Sequence, residues 1–303
     1  MALLFLSTPE RGAVWKQLFD AAQEPILMGA DAVTDPAEVT HVTCWTPPAD
    51  LGQWPNLRMV LSTGAGVDQM PPLPDGVALV RTLAPGIEQM VRDWVVMATL
   101  ALHRELPGYI AQARAGVWKA GPVMAARERR VGVMGMGRTG RLAAQSLAGL
   151  GFDVAGYSRS GAPVDGVEVF GGDRMDAFLA RSDILICLLP LTAETRGRMA
   201  DAFFARLPEG ARLVHAGRGA QLDMAALTRA LDSGHLSAAM LDVTNPEPLP
   251  PDHPAWSDPR ILITPHVAAV TDAREGAMHA LRVLRAEREG RAIPGLVDQT
   301  RGY

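Results

Sequence analysis

Cysteine is nearly missing from this 303-residue chain, which has only Cys44 and Cys187, far apart and each inside an apolar run. That scarcity excludes a disulfide framework and a cysteine-built zinc cluster, and reads as two buried reduced thiols. Long apolar runs are missing as well. Ala2 to Leu6 is apolar, but no basic residue precedes it and Ser7-Thr8-Pro9 ends it. It is too short for a signal core or a membrane span and reads as a first strand. A cytoplasmic protein with no membrane contact is expected. The histidines show no H-x-x-x-H or H-E pattern, so no metal site is expected. The net charge of −4 argues against a nucleic-acid partner held by a broad basic face. An anionic ligand must then be bound by local groups.

What is present is the composition of a globular protein, 48% apolar and 20% charged. The length favours two domains. Short apolar runs at Leu3–Leu6, Val42–Trp45, Met59–Ser62 and Val77–Val80 suit buried parallel strands, and Arg11–Ala22 has helical spacing. A long helix is expected from Gly86 to Leu106, ended by Pro107-Gly108. A second series of strands follows at Arg130–Met134, Asp153–Tyr157, Ile184–Leu188, Arg212–His215, Ala238–Asp242 and Ile261–Thr264, with helical stretches between them. Six strands in βα alternation suggest a dinucleotide-binding domain. The helical tail from Asp272 to Glu289 can pack back on the first domain and make it discontinuous. The expected division is 1–98 with 272–303, and 99–271.

Gly135, Gly137 and Gly140 form G-x-G-x-x-G directly after an apolar strand and before a helix (Arg141 to Leu150). The first glycine permits a tight turn, the second lets backbone approach a pyrophosphate, and the third lets helix and strand pack closely. The helix N-terminus offers amides and a partial positive charge to phosphates. About 20 residues on, where NAD sites place an acidic residue for the ribose hydroxyls, stand Ser158, Arg159 and Ser160. A carboxylate would repel a 2′-phosphate, whereas hydroxyls and a guanidinium bind one. NADPH is therefore the expected cofactor, with NADH as a weaker alternative. The other reading of Arg159 is a solvated surface arginine.

Three segments just past strand C-termini carry an arginine, a glutamate and a histidine: Val214-His215-Ala216-Gly217-Arg218-Gly219, Leu241-Asp242 to Glu247-Pro248, and Thr264-Pro265-His266. Ligands bind at that edge of open α/β sheets. Hydride delivery to a keto carbon builds negative charge on its oxygen, and a protonated imidazole can donate to it. A carboxylate beside the ring favours its charged form and fixes its tautomer. A guanidinium can hold a substrate carboxylate and polarise the carbonyl. Reduction then needs the protonated ring and oxidation the neutral one. Taken singly, Arg218 also reads as a surface ion pair, Glu247 as a solvated loop acid and His266 as a capped core histidine.

Together the glycine loop, Leu189-Pro190-Leu191-Thr192-Ala193-Glu194-Thr195, Gly217-Arg218-Gly219, Asp242-Val243 to Glu247-Pro248 and Pro265-His266 resemble the D-isomer-specific 2-hydroxyacid dehydrogenase family, over nearly the whole chain. Further segments resemble its bacterial branch that reduces glyoxylate and hydroxypyruvate: Cys44-Trp45-Thr46-Pro47-Pro48, Gly64-Ala65-Gly66-Val67-Asp68, Gln89-Met90-Val91, Ser158-Arg159-Ser160, Leu231-Asp232-Ser233-Gly234 and Arg301-Gly302-Tyr303.

The resemblance implies an α/β protein with a Rossmann nucleotide-binding domain and a flavodoxin-like substrate domain, usually a homodimer. It implies an NADPH-dependent reductase of small 2-keto acids, yielding 2-hydroxy acids such as glycolate and D-glycerate. Arg218 would bind the keto acid, His266 would be the acid/base and Glu247 its partner. Trp45, Ala65 and Gly66 would contact substrate, the last two through backbone amides; a core tryptophan is the other reading of Trp45. Met136, Arg138 and Thr139 would join the three glycines at the cofactor, with Ser158, Arg159, Ser160, Leu189, Pro190, Thr195, Ala216, Gly217, Asp242 and His266. Asp242 would meet the nicotinamide carboxamide. The chain departs from the family at His215 (usually asparagine), Gly217 (usually alanine) and Thr244 (commonly phenylalanine). It also has Gly161-Ala162 where relatives often add basic residues. Two alternatives stay open: a dehydrogenase for another 2-hydroxy acid, and a non-catalytic dinucleotide sensor on the same fold.

Overall fold

The computed structural model describes residues 2–298. The Arg301-Gly302-Tyr303 end that entered the resemblance lies outside the described residues. In chain order the strands are β1 (Ala2–Leu6), β2 (Ile26–Met28), β3 (Val39–Cys44), β4 (Met59–Ser62), β5 (Ala78–Val80), β6 (Arg130–Met134), β7 (Asp153–Tyr157), β8 (Glu168–Phe170), β9 (Ile184–Cys187), β10 (Ala211–His215), β11 (Leu236–Leu241) and β12 (Ile261–Ile263). The helices are α1 (Pro9–Ala21), α2 (Pro85–His103), α3 (Leu106–Arg114), α4 (Arg138–Gly149), α5 (Met175–Ala180), α6 (Asp201–Phe204), α7 (Met224–Asp232) and α8 (Ala273–Arg288). The chain forms two compact units, Met1–Ile87 with Val270–Tyr303, and Glu88–Ala269. The first division thus falls in the first turn of α2, ahead of the 98/99 position read from the sequence.

The first unit holds a parallel sheet in the order β2-β1-β3-β4-β5, the flavodoxin-like strand order. Alternation along β1 sends Leu3 and Phe5 to one face and Leu4 to the other. Leu3 and Phe5 pack with Trp15 and Phe19 of α1 and with Ala277, Ala280 and Val283 of α8. Leu4 packs with Val42, Val60 and Leu79 under Leu51 and Trp54. The C-terminal helix therefore completes this unit's core, and the unit is discontinuous in sequence. Asp272 caps α8 by accepting from the Glu275 amide at 2.9 Å, and the Glu275 carboxylate accepts from the Gly86 amide at 3.1 Å.

The second unit holds a seven-stranded parallel sheet, β12-β11-β10-β9-β6-β7-β8. Strand order reverses between β6 and β9, so a crevice opens beyond their C-terminal ends. All six expected strands are present. The seventh, β8, and β2 of the other sheet are three-residue edge strands that are not fully buried and were not expected from the sequence. The expected helix from Gly86 to Leu106 ends earlier, at His103. Glu105 turns left-handed (φ 56°), and Pro107 lies in the first turn of α3. There its missing N–H costs nothing, so the proline opens a helix rather than closing one. Among the described residues no helix is long and apolar enough to cross a membrane, and no group of histidine, cysteine or acidic residues is placed to hold a metal ion.

Two histidines set an acid limit on this fold. His215 at the end of β10 and His279 on α8 are buried, and burial pushes both down to about 4. An unfolded chain binds their protons near pH 6.5, so stability is full above that pH and declines as pH falls towards 4. Each site contributes at most about 3 kcal/mol of this loss. Urea unfolding midpoints should be flat from pH 8 to about 7 and drop between pH 6 and 4. His279→Leu should remove part of that drop; a midpoint equally pH-dependent in the variant would exclude His279 as a source.

Candidate active site

The glycine loop leaves β6 at Gly135, which is left-handed (φ 104°) and lies so close to the Leu188 carbonyl that a Cβ would strike it. Gly140, in the first turn of α4, has no room for a Cβ against the Gly135 carbonyl oxygen. Gly137 has open space where its Cβ would point, and it precedes α4 with no side chain capping the helix. The first-turn amides of α4 thus keep the anion-binding character of an uncapped helix N-terminus. Met136 is buried, Arg138 pairs with Glu88 at 2.5 Å, and Thr139 is partly buried.

Ser158-Arg159-Ser160 follows β7. Arg159 is exposed, with Nη1 3.4 Å from the Glu194 carboxylate. Ser160 Oγ accepts from the Ala162 amide at 3.3 Å. Glu194 belongs to the turn after β9, where Thr195 Oγ1 donates to the Pro190 carbonyl at 2.7 Å and accepts from the Thr192 amide at 2.8 Å. The residues present fit a dinucleotide: open backbone at the pyrophosphate turn, a guanidinium and hydroxyls past the second strand, and no carboxylate on that strand's end.

Asp242 directly follows β11 and is almost wholly buried. Its carboxylate accepts from Thr264 Oγ1 at 2.6 Å and from the Val267 and Ala268 amides at 2.9 Å each. Trp94 Nε1 donates to Thr264 Oγ1 at 3.0 Å. These bonds fold the segment after β12 into a turn that holds His266 left-handed (φ 54°). Its amide donates to the Asp242 carbonyl at 2.8 Å. A non-glycine residue in that region is strained and is kept there only by its surroundings. The ring is half-exposed, and Nδ1 donates to Glu247 Oε2 at 2.8 Å. Glu247 Oε1 accepts from the Thr244 amide at 3.0 Å, so the carboxylate is oriented at both oxygens. A donor at Nδ1 leaves Nε2 as the ring's working nitrogen.

The Arg218 turn lies against the same loop. A Cβ on Gly219 would overlap the Thr244 carbonyl, so backbone meets backbone at the residue whose amide anchors Glu247. Arg218 Nη1 donates to the Gly217 carbonyl at 2.8 Å, and the Arg218 amide donates to Gln221 Oε1 at 2.8 Å. Ala216 continues β10, its amide donating to the Cys187 carbonyl at 3.2 Å. Arg218, Glu247 and His266 are thus joined through one set of contacts in the second unit. Gln221 escaped the sequence reading; its only signal is a glutamine in an otherwise apolar stretch. Both cysteines are buried, and burial pushes each thiol up to about 12, unsuited to nucleophilic or redox chemistry.

The first unit carries the remaining predicted residues. Trp45 is 48% exposed, its ring lying over Gly64, where a Cβ would meet it at 2.7 Å. It is a surface residue, so the core reading of Trp45 is set aside. Ala65 and Gly66 form a turn braced by Ser62 Oγ, which donates to the Gly66 carbonyl at 2.9 Å, and by Gln69 Nε2, which donates to the Trp45 carbonyl at 3.1 Å.

A family model described as "D-isomer specific 2-hydroxyacid dehydrogenase, NAD binding domain" matches residues 96–268. The chain belongs to the D-isomer-specific 2-hydroxyacid dehydrogenase family. The match covers most of the second unit and both the glycine loop and His266. Glyoxylate/hydroxypyruvate reductase A of Salmonella paratyphi B is 33% identical over the full length of both chains. Among solved structures, a family member from Xanthobacter autotrophicus in complex with NADPH and MES is 38% identical, covering 100% of this chain and 99% of its own, with a TM-score of 0.93. An NADPH-dependent glyoxylate/hydroxypyruvate reductase from Sinorhizobium meliloti, in complex with NADP and sulfate, is 34% identical with the same coverage and a TM-score of 0.91. Family membership makes the chain an NAD(P)-dependent dehydrogenase, with a Rossmann domain as its second unit.

Proposed function

We propose that this dehydrogenase reduces small 2-keto acids, glyoxylate and hydroxypyruvate, to the 2-hydroxy acids glycolate and D-glycerate, with NADPH as cofactor and His266 as proton donor. The observation that carries this reading is the His266–Glu247 pair, held at 2.8 Å on a strained turn joined to the turn of Arg218.

Bound NADPH supplies the hydride to the keto carbon. Gly135, Met136, Gly137, Arg138, Thr139 and Gly140 would hold its pyrophosphate, and Ser158, Arg159 and Ser160 its 2′-phosphate. Leu189, Pro190, Thr195, Ala216, Gly217 and Asp242 would line the cleft. Arg218 binds the keto acid and draws electron density towards the carbonyl oxygen. His266 donates its Nε2 proton to that oxygen as charge builds on it. Glu247 holds the ring through Nδ1, so the donor faces substrate and not its own partner. In the first unit, Trp45 and the backbone of Ala65 and Gly66 are assigned to substrate, on the strength of an exposed indole beside a braced turn. Absorbance at 340 nm with NADPH should fall on adding glyoxylate or hydroxypyruvate. An inert protein that still binds NADPH would make this chain a dinucleotide sensor instead.

The cofactor assignment makes its own prediction. Arg159→Ala should raise the KM for NADPH about tenfold, the worth of one charge-assisted phosphate contact, and leave that for NADH within about twofold. Equal losses for both cofactors would mean that Arg159 does not read the phosphate.

The partner we assign is a second copy of the chain. Trp118 is fully exposed, with Val117 and Val123 exposed beside it in sequence. The same unit carries a groove of about 740 Å³ lined by Val96, Met97, Leu100, Leu106 and Leu150. A projecting aromatic segment and an apolar groove on one unit suit an isologous dimer. Light scattering should give the mass of two chains, and Trp118→Glu should give the mass of one. A wild-type monomer would refute the dimer.

A further inference from the structure

His215 and Gln221 are buried polar side chains at the base of the Arg218 turn, and no step of the reaction uses them directly. The Arg218 carbonyl accepts from His215 Nε2 at 2.9 Å and from the Gln221 amide at 3.0 Å, which fills both of its lone pairs. The Arg218 amide donates to Gln221 Oε1 at 2.8 Å. Both backbone groups of Arg218 are therefore fixed by these two residues. Because a carbonyl only accepts, His215 carries its proton on Nε2. Nδ1 is then an acceptor, facing the Gly217 amide at 3.5 Å.

Gln221 also reaches the other side of the cleft. Its Nε2 donates to the Leu189 carbonyl at 3.1 Å and to the Pro190 carbonyl at 2.9 Å. One side chain thus links the turn after β9 to the turn after β10, and uses both of its N–H groups to do so. Gly217 completes the arrangement. A Cβ there would collide with Gln221 Oε1 and come within 3.0 Å of the Leu189 carbonyl oxygen and 3.2 Å of His215 Cε1. Glycine at 217 is what leaves space for the histidine and the glutamine together. Two of the departures from the family pattern, His215 and Gly217, are therefore one structural feature.

We propose that His215, as a neutral Nε2–H donor, and Gln221 are positioning residues that set the Arg218 guanidinium against the keto acid and couple it to the Leu189–Pro190 wall of the cofactor cleft. This rests on the assignment of Arg218 to the substrate. The full burial that holds His215 neutral down to about 4 keeps the donor in place across the working pH range. Polar groups in such a network are expensive to leave unpaired, so deleting one donor moves the group it held.

The test compares His215→Phe, which has no donor, with His215→Gln, whose amide nitrogen can occupy the Nε2 position, and uses Arg218→Lys as reference. His215→Phe should raise the KM for glyoxylate about tenfold, with kcat and the NADPH Kd measured by fluorescence each within about threefold of wild type. His215→Gln should restore the KM to within about threefold. Gln221→Leu should raise both the glyoxylate KM and the NADPH Kd about fivefold or more, since it releases both turns. Gly217→Ala, which displaces Gln221 without deleting a polar group, probes the same contacts should His215→Phe fail to fold, and it too should raise both constants. If Arg218→Lys is crippled while His215→Phe and His215→Gln share one glyoxylate KM, the positioning role is overturned and the reading of Arg218 stands. If Arg218→Lys matches wild type, the substrate assignment fails first, and the positioning role with it.

Discussion

Replacing His266 by asparagine should lower kcat/KM for glyoxylate about 1,000-fold, within the range that a positioned general acid contributes, and leave the NADPH Kd nearly unchanged. Asparagine is the informative substitution because the backbone at 266 is left-handed (φ 54°), a region asparagine tolerates. Alanine would mix the loss of the acid with added backbone strain. Glu247→Gln should cost less, about 100-fold, since the ring keeps a hydrogen-bond partner but loses the negative charge beside it. Stopped-flow absorbance at 340 nm checks both. A His266→Asn enzyme with wild-type rates would remove the proton donor from the account.

The second large effect is at Arg218. Arg218→Lys should reduce kcat/KM about 100-fold, because an ammonium cannot make the planar two-point contact with a carboxylate. Arg218→Ala should reduce it about 10,000-fold by removing both that contact and the charge that stabilises the developing oxyanion. The NADPH Kd should move less than about twofold in either variant, as the glycine loop and Arg159 are untouched. Steady-state kinetics with glyoxylate, together with NADPH fluorescence titration, separates the two terms. A fall in cofactor affinity as large as the fall in turnover would mean that the turn, and not the guanidinium, had been damaged.

How far the sequence could be read depended on what each feature is made of. The long buried strands were legible because parallel strands covered on both faces are continuous apolar runs, as in Ala2–Leu6 and Ile184–Cys187. Ile26–Met28 and Glu168–Phe170 were not: the first is a short apolar triplet only partly buried, and the second opens on an exposed glutamate, so neither stands out from its flanking loops. The break between α2 and α3 was misplaced because Pro107 reads equally as a stop or a first-turn residue. Only the conformation of Glu105 shows which applies.

At the site, glycine spacing and the Arg218, Glu247 and His266 segments stood out because their residue types carry chemistry. The supporting groups did not. Asp242 was seen, but not its three bonds that shape the His266 turn. Gln221 and Gln69 were passed over, because a lone glutamine in a loop has no spacing to betray it. Glu194, which faces Arg159, lay in a recognised segment without a role. Groups that act by holding other groups are legible only once the backbone has brought them together.

The central claim is that His266 and Glu247 act as one unit in protonating the keto acid. A double-mutant cycle on single-turnover NADPH oxidation with saturating glyoxylate tests it directly, using wild type, Glu247→Gln, His266→Asn and the double variant. If the claim holds, the double variant is as slow as His266→Asn alone, within about twofold, because a carboxylate has nothing to orient once the imidazole is gone. Losses that multiply, with the double variant slower than His266→Asn by the full Glu247→Gln factor, would show two independent groups and contradict the account.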